Sequence, residues 1–286
     1  MEEKIEAVIF DMKKRLVFFI YVDTLYRGSK IYDLHFALLK RYSKIFDAAT
    51  LYFSLKEIND ENLEFARELA KRIIDCGFIK DVEIKIRQNT TMREVDCFKE
   101  EVVGRIIDNV PELVFFTHTK GLSNEINDSL LDWICGMYYF SLGFIEDAEK
   151  SLVYRALPDT ENRGSIFYGF PLLKSRIENY LKERIFYAGT IYWINCGKAA
   201  QYNKAFGVNP EKDYIYGSRC FAEEFPGNYF LGCLSTGPFL PSVEEFSLYT
   251  EFDNQLSNIY RDNIGWFNGS GFDVFCNEIK QEVFYD

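Results

Sequence analysis

The chain reads as an α/β protein built on a doubly wound, mainly parallel sheet. Three observations carry that reading. Leu16–Val22, Ala49–Leu55 and the start of Leu113–Gly121 are almost continuously apolar, the pattern of strands buried on both faces. Stretches with apolar residues at helical spacing lie between them. Strand and helix then alternate through residues 16–121, as crossover connections between parallel strands require.

Residues 1–14 read as a short leader or helix. Leu16–Val22 is a central strand, and Asp23 to Lys30 form a polar loop. Ile31 to Tyr42 carries a helical stripe of Ile31, Leu34, Phe36, Leu38 and Leu39, and Ala49–Leu55 is a second strand. Asp60 to Cys76 is an amphipathic helix, and Gly77 is placed to stop it. Val82–Ile86 alternates strictly, so it is a half-exposed strand near an edge. Met92 to Asp108 is another helix, and the apolar strand from Leu113 follows it. Residues 126–155 read as helical, 157–170 as loop, and Leu172 to Leu181 as a short helix. Ile185–Ile194 reads as one strand whose Gly189 marks a bulge or a close backbone approach. Residues 198–204, 218–225 and 240–262 are expected to be helical. No repeat, low-complexity tract or linker divides the chain, so residues 1–286 read as one domain with helical and loop decoration at its C-terminal end.

The formal charge of −11 excludes a general basic footprint for nucleic acid or an anionic membrane, but leaves room for a small anion held by local cations. The 27 Phe and 19 Tyr serve core packing first, with stacking on sugar or base rings as the sharper alternative. Seven scattered cysteines without a Cys-x-x-Cys pair fit reduced structural thiols and give no zinc spacing. No signal peptide or spanning apolar run is evident. A cytoplasmic protein is expected, at most peripheral to the inner membrane face through a partner.

The motifs of dinucleotide sites, P-loops and α/β-hydrolase nucleophiles are absent. His35 lies mid-helix and reads as a partly buried helical residue. His118 differs. It ends a buried strand beside Thr117, Thr119 and Lys120, and Gly121 lets the backbone turn tightly. Open α/β sheets bind ligands at that edge. A lysine point charge and a histidine donor suit a diphosphate. Arg219 and Glu223, spaced i,i+4, share a helix face, either as a surface ion pair or as a general base with its orienting cation.

Taken in order, these features resemble a family of uncharacterised glycosyltransferase-like proteins of bacterial polysaccharide clusters and large viruses. The resemblance runs over residues 15–230. It rests on Phe18–Tyr21, the His-Thr-Lys-Gly segment His118–Gly121, a helix with Trp133 and Met137–Phe140, the strand Tyr187–Trp193, and Arg219 to Glu223. It implies a GT-A-type, nucleotide-binding fold, with residues 15–125 as the donor half and 126–286 as the acceptor half. It implies a nucleotide-sugar donor, a glycan or lipid-linked acceptor, and surface polysaccharide synthesis. A non-catalytic glycan- or nucleotide-binding module is the alternative. Such enzymes hold a divalent metal on an Asp-x-Asp motif, whereas the equivalent strand end here reads Thr117-His118-Thr119-Lys120. No metal ligand is assigned, and Lys120 and His118 are expected to neutralise the diphosphate. The resemblance places the acceptor-activating base at Glu223 or Glu224, beside Arg219. Gly189 and Trp193 would line the acceptor side, with Trp193 available to stack on a sugar. Asp23 and Asn89, at two other strand ends, are candidate base and ribose contacts, or simply loop caps.

Overall fold

The computed structural model describes residues 12–75, 77, 81–154, 165–170, 172–177, 182–187, 189–216, 221–230, 234–235, 243–246 and 271–285. Four strands, β1 (Lys13–Val22), β2 (Ala48–Leu55), β3 (Val82–Gln88) and β4 (Glu112–His118), pair in parallel in the order β3-β2-β1-β4. Downstream come β5 (Phe167–Gly169), β6 (Leu172–Ile177), β7 (Lys182–Tyr187), β8 (Tyr192–Asn195), β9 (Leu234–Ser235) and β10 (Val243–Phe246). The main sheet continues β4-β8-β5-β9, with β8 antiparallel to both of its neighbours. A smaller sheet runs β10-β6-β7. The expected doubly wound, mainly parallel sheet is therefore present.

Its faces sort the side chains. Leu16, Phe18 and Ile20 of β1, with Leu113 and Phe115 of β4, join one core; Val17, Phe19, Val114 and Phe116 join the other. The strands are apolar throughout because both faces are covered. The first core is closed by α1 (Lys30–Arg41) and α2 (Asp60–Asp75). Opposite them runs a helical segment of α3 (Glu94–Phe98), a π-helical turn at Lys99–Val103 and α4 (Gly104–Ile107). Back on the first side lies α5 (Asp128–Leu142), followed by α6 (Ile145–Glu149). On the second side lie α7 (Cys196–Phe206) and, beyond α8 (Pro210–Asp213), α9 (Phe221–Tyr229). The C-terminal helix Phe272–Lys280 packs against α5.

Gly77 stops α2 as expected, at φ +65° with its N–H on Ile74 O. β3 is the half-exposed edge strand that its alternation predicts. Four expectations are corrected. Within 157–170, expected as loop, Phe167–Gly169 form strand β5, paired with β8 and β9. Residues 172–177 form a strand, because Leu172–Ile177 pairs with Lys182–Tyr187 instead of burying a helical stripe. The apolar run 185–194 is two strands in different sheets, parted at Gly189. Within 240–262, residues 243–246 are a strand paired with β6, and the rest lies outside the described residues, as do residues 1–11. Among the described residues, no helix is long and apolar enough to cross a membrane.

Candidate functional site

A cleft of about 390 Å³ opens at the carboxyl ends of β1, β3 and β4. Tyr21 and Tyr26 line it from the first strand, Asn89, Arg93 and Glu94 from the third, and His118 to Asn124 from the fourth, with Trp133 of α5 and Phe19 completing it. This is where ligands enter open α/β sheets, because strand ends and the loops that follow them converge there.

The β4 end is held from three directions. Thr119 donates its N–H to Phe19 O at 3.1 Å and accepts the Tyr21 N–H on its hydroxyl at 3.2 Å. Gly121 turns the chain at φ +88°, and a Cβ there would meet Leu130 and Ile134 at 3.1 Å. From below, His35 Nε2 lies 3.0 Å from Lys120 O, and its Nδ1 lies 2.8 Å from the Tyr138 hydroxyl. A carbonyl only accepts, so Nε2 carries the proton. Nδ1 then accepts from Tyr138, which in turn accepts from Thr117 Oγ1 at 2.8 Å. This chain needs a neutral imidazole. Burial pushes the His35 pKa down to about 3, which outweighs its bond to Lys120 O. His35 is thus fully buried rather than partly so, and it fixes the backbone of the cleft lysine.

His118 Nε2 donates to Gly189 O at 2.8 Å. Burial, then the neighbouring Lys120 charge, lowers its pKa to about 3, so the ring is neutral at pH 7. Its ring donor is spent on the 189 loop, and it brings no positive charge to an anion. Gly189 also donates its own N–H to Glu223 Oε1 at 2.9 Å. The same carboxylate oxygen lies 3.9 Å from Lys120 Nζ, and that ammonium sits 4.7 Å from the centroid of the Trp133 ring. Gly189 has φ +89°, and a Cβ on it would stand 2.5 Å from Met137 Sδ, so a larger residue would be strained and would have to displace Met137.

His118, Lys120, Gly189 and Glu223 therefore meet, as the sequence expected them to share one site. Thr119, Gly121 and Asn89 line the same cleft, and the remaining expected residues are placed differently. Trp193 is a correction: it is fully buried, donates its indole N–H to Ser141 O at 2.8 Å and packs on Phe46 and Phe115, so no sugar reaches it. The tryptophan at the cleft is Trp133. Asp23 is buried, caps the turn at Leu25 N and pairs with Lys56 Nζ at 3.0 Å, which is the loop-capping alternative. Asn89 lines the cleft and accepts from Ser54 Oγ at 3.0 Å. Glu224 neighbours Glu223 on α9; neither lines the cleft, and Glu223 meets it through Lys120. Arg219 lies outside the described residues, and the cation that Glu223 meets among them is Lys120.

Sequence reading missed Arg93. Its signal was positional, since it follows the end of β3 as Lys120 follows the end of β4. Its backbone stands at φ 53°, ψ −123°, near the mirror image of the extended region. Arg93 lines the cleft, and its charge acts on the Tyr21 phenol. Among the described residues, no group of three or more His, Cys, Asp or Glu side chains could hold a metal ion.

No family model matches the chain, and no curated protein matches it. Among solved structures, it is similar to a crystal structure of 4-diphosphocytidyl-2C-methyl-D-erythritol synthase. The sequence identity is 10% and the TM-score 0.37, over 88% of this chain and 99% of that one. A likeness at that score carries nothing about activity.

Proposed function

We propose that the cleft binds a nucleotide sugar and that the protein transfers the sugar to a glycan or lipid-linked acceptor. The observation that carries this reading is the cleft itself. Cationic Lys120 and Arg93, with Tyr21, Tyr26 and Asn89, line one concavity at the strand ends. Cations suit a diphosphate, while aromatic and amide groups suit a base or a sugar. Residues 15–125 supply the donor side of this reading, and residues 126–286 the acceptor side.

In the proposed reaction an acceptor hydroxyl attacks the anomeric carbon, and the bond from that carbon to the diphosphate oxygen breaks. The hydroxyl proton passes to Glu223, and negative charge builds on the leaving diphosphate beside Lys120. Stabilising that charge is where most of the catalytic gain lies. His118 and Gly189 hold the loop against which Glu223 is fixed. The wild type should transfer sugar from one nucleoside diphosphate sugar, and Glu223→Gln should lose about a hundredfold or more in rate with donor affinity retained. Unchanged transfer by Glu223→Gln would remove the base assignment.

One observation favours a binding module on the same fold: the Glu223 carboxylate is already engaged by Gly189 N–H and lies near Lys120. Nucleotide binding with neither hydrolysis nor transfer of any sugar would select that reading.

A further inference from the structure

We infer that Arg93 is the second cation of a metal-free diphosphate clamp whose first cation is Lys120, and that its strained backbone is retained for this task. The inference deepens the nucleotide-sugar reading and rests on the same cleft. Arg93 and Lys120 approach that cleft from different strand ends, β3 and β4, across β2 and β1. The two cations differ in how they are held. Lys120 is half-buried, lies over Trp133 and sits 3.9 Å from Glu223. Arg93 is exposed, and its side chain makes no ion pair or hydrogen bond with any described residue. Glu94 in the lining and Glu223 beside Lys120 match the two cations in number, so the charge open to an entering anion is that of Arg93, which is unpaired among the described residues.

The backbone supplies the second observation. A non-glycine residue at φ 53°, ψ −123° is costly, and strain of this kind persists where a site needs it. Arg93 is fixed there by its own N–H to Thr90 O at 3.2 Å and by the helical segment that starts at Glu94. Glycine would adopt this conformation freely. A glycine would also deprive the cleft of a planar, permanently charged donor of the kind that grips phosphate through two parallel bonds. The recognised chemistry is a pyrophosphoryl group. It could belong to a nucleotide, to inorganic pyrophosphate or to a lipid diphosphate, and the test separates these.

The experiment is isothermal titration of the wild type, Arg93→Gly, Arg93→Ala and Lys120→Met with inorganic pyrophosphate, nucleoside diphosphates and a short-chain isoprenyl diphosphate. Each titration is run in EDTA and again with manganese, beside thermal melts. Pyrophosphate or a nucleoside diphosphate should bind in EDTA. Arg93→Gly should weaken that binding by about tenfold or more, the loss expected for one charge-assisted contact. Arg93→Gly should nevertheless melt above Arg93→Ala by about 2–4 °C, since only glycine relieves the strain. A role in folding alone would make stability and affinity fall together. Unchanged affinity in both Arg93 variants, or binding that appears only with manganese, would overturn the inference even if nucleotides bind. Binding of pyrophosphate or the isoprenyl compound but of no nucleotide, with the same Arg93 dependence, would keep the clamp and overturn the nucleotide-sugar reading.

Discussion

Two clusters of charge sit at opposite ends of the main sheet, and they are built in opposite ways. At the amino ends of β1 and β4, Arg15 Nε bonds Glu112 Oε2 at 3.0 Å, and Arg105 Nε reaches the same oxygen at 3.3 Å. Arg105 also meets Glu101 Oε2 at 2.8 Å, and Glu101, fully buried in the π-helical turn, pairs with Lys85 as well. Each of these three cations has a carboxylate. At the carboxyl ends, Lys120 has one at 3.9 Å, and Arg93 has none among the described residues. The first cluster is closed and ties the helical segment 94–107 to the sheet. The second is open and keeps cations available. The difference teaches that the state of pairing, more than the presence of charge, separates a structural network from a binding site.

The comparison breaks most sharply at Glu101. Glu101→Ala removes the charge-assisted bonds of Arg105 and Lys85 to their buried partner while Glu112 and Glu100 remain, so stability should fall by about 3 kcal/mol in urea unfolding. A variant as stable as the wild type would show that the closed network holds nothing together.

A smaller effect comes from pH. The His35 pKa is lowered by burial to about 3, whereas an unfolded histidine titrates near 6.5. Below 6.5 the unfolded chain binds a proton that the folded chain refuses. Stability from this group is therefore complete above 6.5 and falls as the pH drops towards 3. By pH 5 the loss should be about 2 kcal/mol. Urea unfolding at pH 7, 6 and 5 measures it, and His35→Gln should remove about half of the histidine-linked decline, the other half coming from His118, which is held neutral in the same way. Equal declines in both proteins would mean that His35 is not held neutral.

The smallest effect on stability belongs to the open cluster. Lys120→Met should change the unfolding free energy by less than about 1 kcal/mol, because its pair with Glu223 is long and partly exposed. The same substitution should cost about tenfold or more in diphosphate affinity. A large loss of stability at Lys120 would erase the contrast between the two ends.

The fold was legible wherever burial is two-sided. Leu16–Val22 and Leu113–Phe116 admit one reading because their neighbours on both faces are apolar. Leu172, Leu173, Ile177 and Leu181 mimic a helical stripe, and only pairing with the adjacent β7 and the distant β10 makes residues 172–177 a strand. The run 185–194 concealed its break because apolar residues flank Gly189 on both sides. At the site, Lys120, His118, Gly189 and Glu223 were found through strand ends, a glycine and a charge pattern. Trp193 misled because its type fits both a core and a sugar platform, and sequence carries no depth. Arg93 was read into the helix Met92–Asp108, whereas the helical segment starts only at Glu94, and the positive φ of Arg93 is a property of the folded chain. His35 was seen as helical, but its bond to Lys120 O spans 85 residues.

The most direct test of the nucleotide-sugar cleft is a crystal soaked with a nucleoside diphosphate sugar in EDTA. The diphosphate is expected within hydrogen-bonding distance of Lys120 Nζ, with the base towards Tyr21 and Asn89. A diphosphate bound away from residues 117–121, or a cleft left empty at saturating ligand, would contradict the reading.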